Sequence, residues 1–324
     1  MNRDYLWDRS GPPDPEVERL EQTLAPLRYR HRAGLAYGPH HPPKLRRAVA
    51  LAAAAAVVIA GVALQWRTPP PPATAWQVAS VHGQASLGSQ QAAVSMPLRA
   101  GLAVRTGGDT EMTLRADEFG TMLLGPNSEL RAATNRRVTL QRGELHAYIW
   151  APPREFVVDT PSARAVDLGC AYTIHVDASG DGLLRVSLGW VAFQYGDYEA
   201  FIPAGAACVT RKREGPGIPF YEDASEALRR SLAAFEQGDA AALAGILDAA
   251  RPSDALTLWH LLTRAAERDR GRVFDRFAEL VKLPKEVRRE DVLRRETHSI
   301  DLCWDALNLQ NTDWWRGWER RWGS

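Results

Sequence analysis

The side chains that could carry chemistry are few and do not converge in the sequence. The 324 residues include three cysteines and eight histidines. His298 lies close to Cys303 in sequence and His40 is next to His41, but neither pair has further ligands at the spacing that a metal site needs. No Gly-x-Ser-x-Gly nucleophile motif, phosphate-binding loop or dinucleotide-binding glycine pattern is present. We therefore predict that the protein is not an enzyme and uses no metal or cofactor.

The C-terminal end of the sequence is rich in tryptophan, with several of these residues interleaved with arginines. Trp315, Trp318 and Trp322 share one face of a predicted helix. Such rings could stack on sugars or dock on a protein or a membrane interface. They could instead pack a terminal helix onto a helical bundle, which is the interpretation that we favour. The three tryptophans are kept as candidate partner-binding residues.

A second candidate partner-binding set lies in residues 1–47, which form a short predicted tail. Its apolar side chains recur at helical spacing, namely Val17, Leu20, Leu24 and Leu27. An acid followed by a proline marks the start of this helix. One amphipathic helix cannot bury its apolar stripe alone, so the helix needs a partner, and Trp7 adds apolar area to the same patch.

An apolar run follows the tail. Ala48 to Leu64 contains no polar or charged side chain, and as a helix it is about 25 Å long, close to the roughly 30 Å hydrocarbon core of a bilayer. Basic side chains are frequent in residues 28–47, whereas residues 65–84 contain only one. We predict a transmembrane helix at residues 48–66 with the N-terminus in the cytoplasm. A buried soluble helix, a cleaved secretory signal and a cytoplasmic C-terminal region are the alternatives.

Beyond this run the sequence changes character. Residues 67–75 are a proline-rich linker. Residues 76–215 alternate apolar and polar side chains between regularly spaced glycine turns, which is typical of a mostly-β domain. The alternation shifts phase near Gly143 and again near Gly189, as expected where a strand bulges or turns a corner.

The last part of the chain, residues 222–324, has apolar side chains at 3.6-residue spacing and predicts an all-α C-terminal helical domain. Asp223 is a plausible N-cap for its first helix. The predicted fold class is therefore multidomain, with a single transmembrane helix, a mostly-β domain and then the helical domain.

Eight short stretches of different sequence follow one another through residues 76–210 of the β region. They are Val81-His82-Gly83, Pro97-Leu98-Arg99-Ala100-Gly101, Leu124-Gly125-Pro126-Asn127-Ser128, Leu140-Gln141-Arg142-Gly143-Glu144-Leu145, Phe156-Val157-Val158-Asp159-Thr160-Pro161, Ala165-Val166-Asp167-Leu168-Gly169, Gly189-Trp190-Val191 and Pro203-Ala204-Gly205. Taken as a set, they resemble the FecR-type domain of bacterial cell-envelope signalling proteins. The helical region after residue 222 lies outside the resemblance.

The resemblance implies a single-pass regulator of the bacterial inner membrane, similar to an anti-sigma factor. Its periplasmic part would sense a partner, and its short cytoplasmic tail would control an extracytoplasmic-function sigma factor. The order of tail, span, linker and β domain in this chain is similar to that arrangement.

Two cysteines, Cys170 and Cys208, fall in the β domain, which the predicted topology places in the oxidising periplasm. A disulfide between them is possible, and two separate buried thiols are the alternative. Cys303 would then be an unpaired thiol.

The span and its flanking charges predict a membrane-anchored protein with its C-terminal bulk in the periplasm, and the resemblance implies a signalling regulator whose tail holds or releases a sigma factor. The periplasmic partner would be an envelope protein or a glycan. No nucleic acid is expected, because 40 basic side chains are balanced by 39 acidic ones. The alternative is a non-signalling envelope scaffold or a glycan- or peptidoglycan-binding protein.

Overall fold

The computed structural model describes residues 15–24 and 76–309. These residues fall into two compact units. The first contains helix α1 (Pro15–Leu24), and the second contains every described residue from 76 onward.

Strands occupy the first part of the larger unit. From the N-terminus they are β1 (Trp76–His82), β2 (Ala85–Leu87), β3 (Gln90–Gln91), β4 (Pro97–Leu98), β5 (Ala103–Thr106), β6 (Glu111–Ala116), β7 (Gly120–Leu124), β8 (Glu129–Thr134), β9 (Arg137–Ile149), β10 (Val157–Asp159), β11 (Arg164–Asp167), β12 (Ala171–Val176), β13 (Gly182–Leu188), β14 (Trp190–Tyr195), β15 (Tyr198–Pro203), β16 (Ala206–Arg211), β17 (Gly215–Pro216) and β18 (Phe220–Tyr221). Helices follow in the order α2 (Glu226–Glu236), α3 (Ala242–Ala249), α4 (Ala255–Arg264), α5 (Glu267–Leu280), α6 (Arg289–Leu293) and α7 (Thr297–Ala306), with a 3-10 turn at Pro252–Asp254.

The strands form two sheets that share one strand. Sheet A has the order β4-β1-β6-β7-β9-β12-β13-β16, and β17 and β18 pair with the far edge of β16. Sheet B has the order β3-β2-β5-β8-β9-β10-β11-β14-β15. All pairings are antiparallel except that of β9 with β10. The long strand β9 contributes its first half to sheet B and its second half to sheet A, so it links the two sheets.

Strand β9 crosses between the sheets at Gly143, where φ is +92°. The Ser128 hydroxyl accepts a hydrogen bond from the backbone N–H of Glu144 at 2.9 Å and donates to its carbonyl at 3.2 Å. The hydroxyl therefore gives the Glu144 N–H an acceptor at the corner and adds a second donor to the Glu144 carbonyl, which also accepts from the Gly125 N–H at 3.0 Å. A Cβ on Gly143 would lie 2.2 Å from the Ser128 Oγ, so the bond can form only beside a glycine.

A second corner repeats this arrangement where the chain leaves β1 for β2. Gly83 has φ +101°, and the Thr110 Oγ1 accepts from the N–H of Gln84 at 2.8 Å and donates to its carbonyl at 3.0 Å. A Cβ on Gly83 would lie 2.5 Å from that oxygen. Both corners have the same local structure. A glycine with a left-handed backbone is followed by a residue whose N–H and carbonyl both bond to one side-chain hydroxyl group.

A third corner carries the β12–β13 hairpin of sheet A into the β11–β14 pair of sheet B. Gly189 has φ +69°, and a Cβ there would lie 2.1 Å from the carbonyl oxygen of Gly169. The phase shifts predicted near Gly143 and Gly189 are thus points at which strands change sheets.

The core lies between the inward faces of the sheets. Strand β6 shows the pattern, because Met112 and Leu114 are buried while Glu111 and Arg115 are exposed. Trp76 packs against Phe156 with ring centroids 5.2 Å apart and donates from Nε1 to the Asn135 carbonyl. Alternating burial along a strand is expected when one face of the sheet is covered.

The helices cover the end of sheet B that β14 and β15 form. Trp304 of α7 packs against Trp190 of β14, Phe201 of β15 and Trp259 of α4, with ring centroids 4.6 to 5.8 Å apart. Strands β14 and β15 are buried on both faces over most of their length for this reason, and their sequences contain the apolar runs 190–193 and 200–203. The strands and helices share one hydrophobic core, and the predicted boundaries of their two domains stay a prediction.

His260 of α4 joins the helices to edge strand β15. Its Nε2 accepts a hydrogen bond from the backbone N–H of Phe201 at 3.1 Å, and its Nδ1 lies 3.0 Å from the Leu256 carbonyl oxygen. The carbonyl can only accept, so Nδ1 carries the proton and the ring is neutral. Burial lowers the pKa of His260 to about 3.

The predicted fold class needs one correction. Within residues 15–24 and 76–309, no helix is long and apolar enough to cross a membrane. The longest, α5, has 14 residues and is rich in charged side chains, whereas a span needs about 20 mostly apolar residues. The class with a single transmembrane helix is therefore wrong, and the described fold is a mostly-β unit with helices at its C-terminal end. The predicted span at 48–66 and linker at 67–75 lie outside the described residues.

Replacing Gly143 with alanine is expected to lower the free energy of unfolding by about 2–4 kcal/mol, because the new Cβ collides with Ser128 in a left-handed backbone. Gly101 is a matched control, since its φ is +85° but no other atom would lie within 4 Å of a Cβ added there. Gly101→Ala should lose only the roughly 1–2 kcal/mol of backbone strain. Urea unfolding measures both losses, and equal values would contradict the crowding argument.

His260 should make the unit less stable in acid. Its pKa is about 3 in the fold against about 6.5 when unfolded, so the unfolded chain gains a proton first as the pH falls from 6.5 towards 3. The free energy of unfolding should fall there by up to about 1.4 kcal/mol per pH unit from this group. His260→Gln should remove that slope in denaturant titrations at several pH values, and identical slopes in both proteins would refute it.

Candidate binding face

The candidate site lies on the outward face of sheet A, around the second half of β9. Along this strand Leu145, Ala147 and Ile149 point into the core. The alternate positions, Glu144, His146 and Tyr148, therefore point outward. Thr173 and His175 of the neighbouring strand β12, Leu188 of the next strand β13 and Trp150 at the end of β9 complete the group that we call the sheet A face. Its members are Glu144, His146, Tyr148, Trp150, Thr173, His175 and Leu188.

Two aromatic rings dominate this face. Tyr148 is 52% exposed and Trp150 is 44% exposed, and their ring centroids are 5.9 Å apart in an edge-to-face arrangement. The Trp150 Nε1 donates to the Asp117 carbonyl at 2.8 Å, which fixes the indole ring. Tyr148 is flanked across the sheet by the small residues Thr121 and Ala171, so its ring is left uncovered.

An apolar side chain extends the aromatic pair across the sheet. Leu188 of β13 pairs with Ala171 of β12, which in turn pairs with Tyr148. Leu188 is 55% exposed, so the apolar surface continues over three strands. Neighbouring strands are about 4.8 Å apart, which places Tyr148 and Leu188 roughly 10 Å from each other.

A hydrogen-bonded network of polar side chains borders the rings. His146 Nε2 lies 2.8 Å from Glu144 Oε1, and His146 Nδ1 lies 2.9 Å from Thr173 Oγ1. A carboxylate can only accept, so Nε2 carries a proton, and in the neutral ring Nδ1 accepts from the threonine hydroxyl. His175 Nδ1 approaches the second carboxylate oxygen of Glu144 at 3.8 Å. Two hydrogen bonds thus orient the His146 ring, and His175 lies near the same carboxylate without a hydrogen bond to it.

This geometry suits binding. The side chains project from a sheet paired on both sides, so the platform is rigid before any ligand arrives. No group of His, Cys, Asp or Glu in residues 15–24 or 76–309 is placed to hold a metal ion.

The predicted partner-binding residues are only partly visible. Trp7, Leu27, Trp315, Trp318 and Trp322 lie outside the described residues.

Helix α1 carries the other three predicted residues, Val17, Leu20 and Leu24. The structure describes the side chain of Leu24, which is 53% exposed. None of these residues belongs to the sheet A face.

The predicted disulfide is not formed. All three cysteines of the chain lie within the described residues, and each is a buried free thiol. Cys208 pairs across from Leu184, which pairs with Ile174, so Cys208 lies two strands and about four residues from Cys170. That separation is roughly 16 Å, whereas bridged cysteines have Cα atoms within about 7 Å.

Cys170 has a different partner in the core. Its Sγ donates to Asp167 Oδ2 at 2.7 Å, and the backbone N–H of Gly169 donates to Asp167 Oδ1 at 2.7 Å. Burial raises the pKa of Asp167 to about 7, although both hydrogen bonds oppose the rise. Burial also raises the pKa of the Cys170 thiol well above its usual value. This cysteine is therefore a protonated structural thiol.

The sheet A face was missed in the sequence, although a signal was present. Residues Glu144 to Trp150 alternate strictly, and their outward positions carry histidine and aromatic side chains in place of the usual small polar ones. A single exposed aromatic residue on a strand is normal, but neighbouring exposed aromatic residues indicate an interaction surface.

Comparisons with known proteins give little support for a family. No family model matches the chain, and no curated protein matches it. The resemblance to the FecR-type domain is therefore not confirmed.

Among solved structures, two crystal structures of a putative anti-sigma factor from Parabacteroides distasonis are similar to this chain. The first has a TM-score of 0.34 at 16% identity and covers 42% of this chain and 65% of that chain. The second has a TM-score of 0.33 at 15% identity and covers 42% and 64%. The chain thus spans less than two thirds of the length of these neighbours, and a likeness this distant carries no argument about fold or function.

Asp167 should make the unit less stable as the pH rises. Its pKa is about 7 in the fold against about 3.9 when unfolded, so its contribution is complete below pH 4 and is lost as the pH rises through 7. Asp167→Asn should remove this loss, so the variant gains stability relative to the parent between pH 4 and pH 8. Thermal unfolding across that range checks it, and a constant difference between the two proteins would contradict it.

Proposed function

We propose that this protein is a regulatory binding protein and not an enzyme. In this proposal the sheet A face receives a partner or ligand, and the N-terminal tail that contains α1 controls a sigma factor. The compartment in which the protein works stays a prediction.

One observation supports the receiving role above all others. Six large apolar side chains are exposed in the described residues, and three of them, Tyr148, Trp150 and Leu188, lie together on the sheet A face. Scattered exposed apolar residues are normal on a protein surface, but a cluster beside a fixed polar network marks a site of interaction.

The role of the tail rests on α1 and on the sequence resemblance. Leu24 is an exposed apolar side chain on a helix that otherwise shows exposed polar residues such as Glu18, Arg19 and Gln22. A ten-residue helix is marginal in water unless a partner covers its apolar side. The sigma factor as that partner comes from the resemblance to envelope regulators. Coupling of about 1–3 kcal/mol between the two sites would give a 5- to 150-fold response.

Retention of a sigma factor by the full chain tests the proposal. Leu24→Asp should weaken retention at least tenfold, because it places a charge on the apolar side of α1. Gln22→Asp is the matched control, since it adds the same charge at an exposed polar position and should leave retention unchanged. Quantitative co-purification with each sigma factor of the cell is the measurement. Failure of the unaltered chain to retain any of them would contradict the proposal.

Deleting residues 1–40 separates a regulator from a scaffold. A regulator without its tail should change the expression of a target operon. A scaffold, or a glycan-binding protein that does not signal, should keep its function with transcription unchanged, and that result would favour the alternative.

A further inference from the structure

We propose that the sheet A face binds an uncharged oligosaccharide, whose sugar rings pack on Tyr148 and Trp150. This inference rests on the proposed function only in taking this face as the receiving site. The class of ligand follows from three properties of the face, which are its exposed rings, its hydrogen-bonding groups and its charge.

The exposed rings suit the apolar side of a sugar. A pyranose ring presents C–H groups on its faces and hydroxyl groups around its rim, so it packs on an aromatic face without losing polar hydration. Tyr148 offers an open ring face because its neighbours in the sheet are Thr121 and Ala171. Trp150 Nε1 is already bonded to the Asp117 carbonyl, so the indole offers mainly its apolar surface.

The polar network suits the rim of the same sugar. Glu144, His146, Thr173 and His175 alternate donors and acceptors next to the rings. Glu144 and Tyr148 are four residues apart on one strand, or about 13 Å. The platform is therefore long enough for a short oligosaccharide and not only for one sugar.

The charges of the face favour an uncharged ligand. The carboxylate of Glu144 is already engaged by His146 at 2.8 Å. The cations on the neighbouring strands are also paired, since Arg185 contacts Glu222 at 2.8 Å and Arg115 contacts Asp117 at 3.0 Å. An acidic glycan would meet the negative charge of Glu144 and arginines that are already paired, whereas a polyhydroxylated neutral chain needs no complementary charge.

Isothermal titration calorimetry on the full chain tests the inference. The probes are cellohexaose, chitohexaose, maltohexaose and xylohexaose as neutral chains, with hexagalacturonate as the acidic comparison. At least one neutral chain should bind. Tyr148→Ala should then weaken binding at least tenfold, and Tyr148→Phe, which keeps the ring, should restore it to within about threefold.

Controls separate loss of the site from loss of the fold. Tyr195 is an exposed aromatic residue on sheet B, so Tyr195→Ala should leave oligosaccharide binding unchanged. The melting temperature of Tyr148→Ala should stay close to that of the parent, because the ring is half exposed.

Other results would overturn the inference. Binding of hexagalacturonate alone, binding that Tyr148→Ala leaves intact, or no binding of any probe would each refute it. Because sigma-factor retention is measured separately through Leu24, loss of the glycan inference with retention intact would leave the regulatory proposal standing. Glycan binding by a chain that retains no sigma factor would support the glycan inference and contradict the regulatory proposal.

Discussion

The fold depends on how a β-strand can turn from one sheet into another without leaving backbone groups unpaired. At two of its corners the answer is a hydroxyl group that bonds both the N–H and the carbonyl of the residue after the turn, Ser128 to Glu144 and Thr110 to Gln84. Each hydroxyl oxygen lies only 2.2 to 2.5 Å from the point that a Cβ on the preceding residue would occupy, so that residue must be glycine. The left-handed backbone at these glycines makes the same demand independently.

The corner at Gly143 also explains where the sheet A face lies. On one side of it, β9 pairs with β8 and β10 in sheet B, and on the other it pairs with β7 and β12 in sheet A. The turn therefore sets which residues of the second half point outward. Glu144 is both the residue held by Ser128 and the carboxylate that anchors His146. The internal corner and the external network meet at one residue, so the position of the face is fixed by the packing of the sheets.

Much of the β architecture could be predicted from the sequence, because period-two alternation is a local property. The phase shifts near Gly143 and Gly189 mark real changes of sheet. The stretches that resemble the FecR-type domain contain Gly83, Gly143 and Gly189, which are corner glycines. Those stretches therefore carry information about backbone geometry and little about a ligand, which is why the resemblance did not indicate the sheet A face.

The errors came from inferences that needed distances. The disulfide prediction rests on the oxidising compartment that the predicted topology implies, but the strand register keeps Cys170 away from Cys208. The first helix of the C-terminal group is capped by Ser225, whose side chain accepts from the N–H of Leu228, and not by Asp223. Two nearby side chains can both cap a helix in principle, and only the path of the chain after β18 decides between them.

His260 has one more role, which concerns association between copies of this chain. Strand β15 is an outer strand of sheet B, and an uncovered outer strand is a template on which another chain can add a strand of its own. By taking the N–H of Phe201, the imidazole closes part of that template from within the molecule. A chain truncated before α4 would leave this strand uncovered. Such a chain should associate into fibrous or insoluble material and should not give a smaller soluble protein.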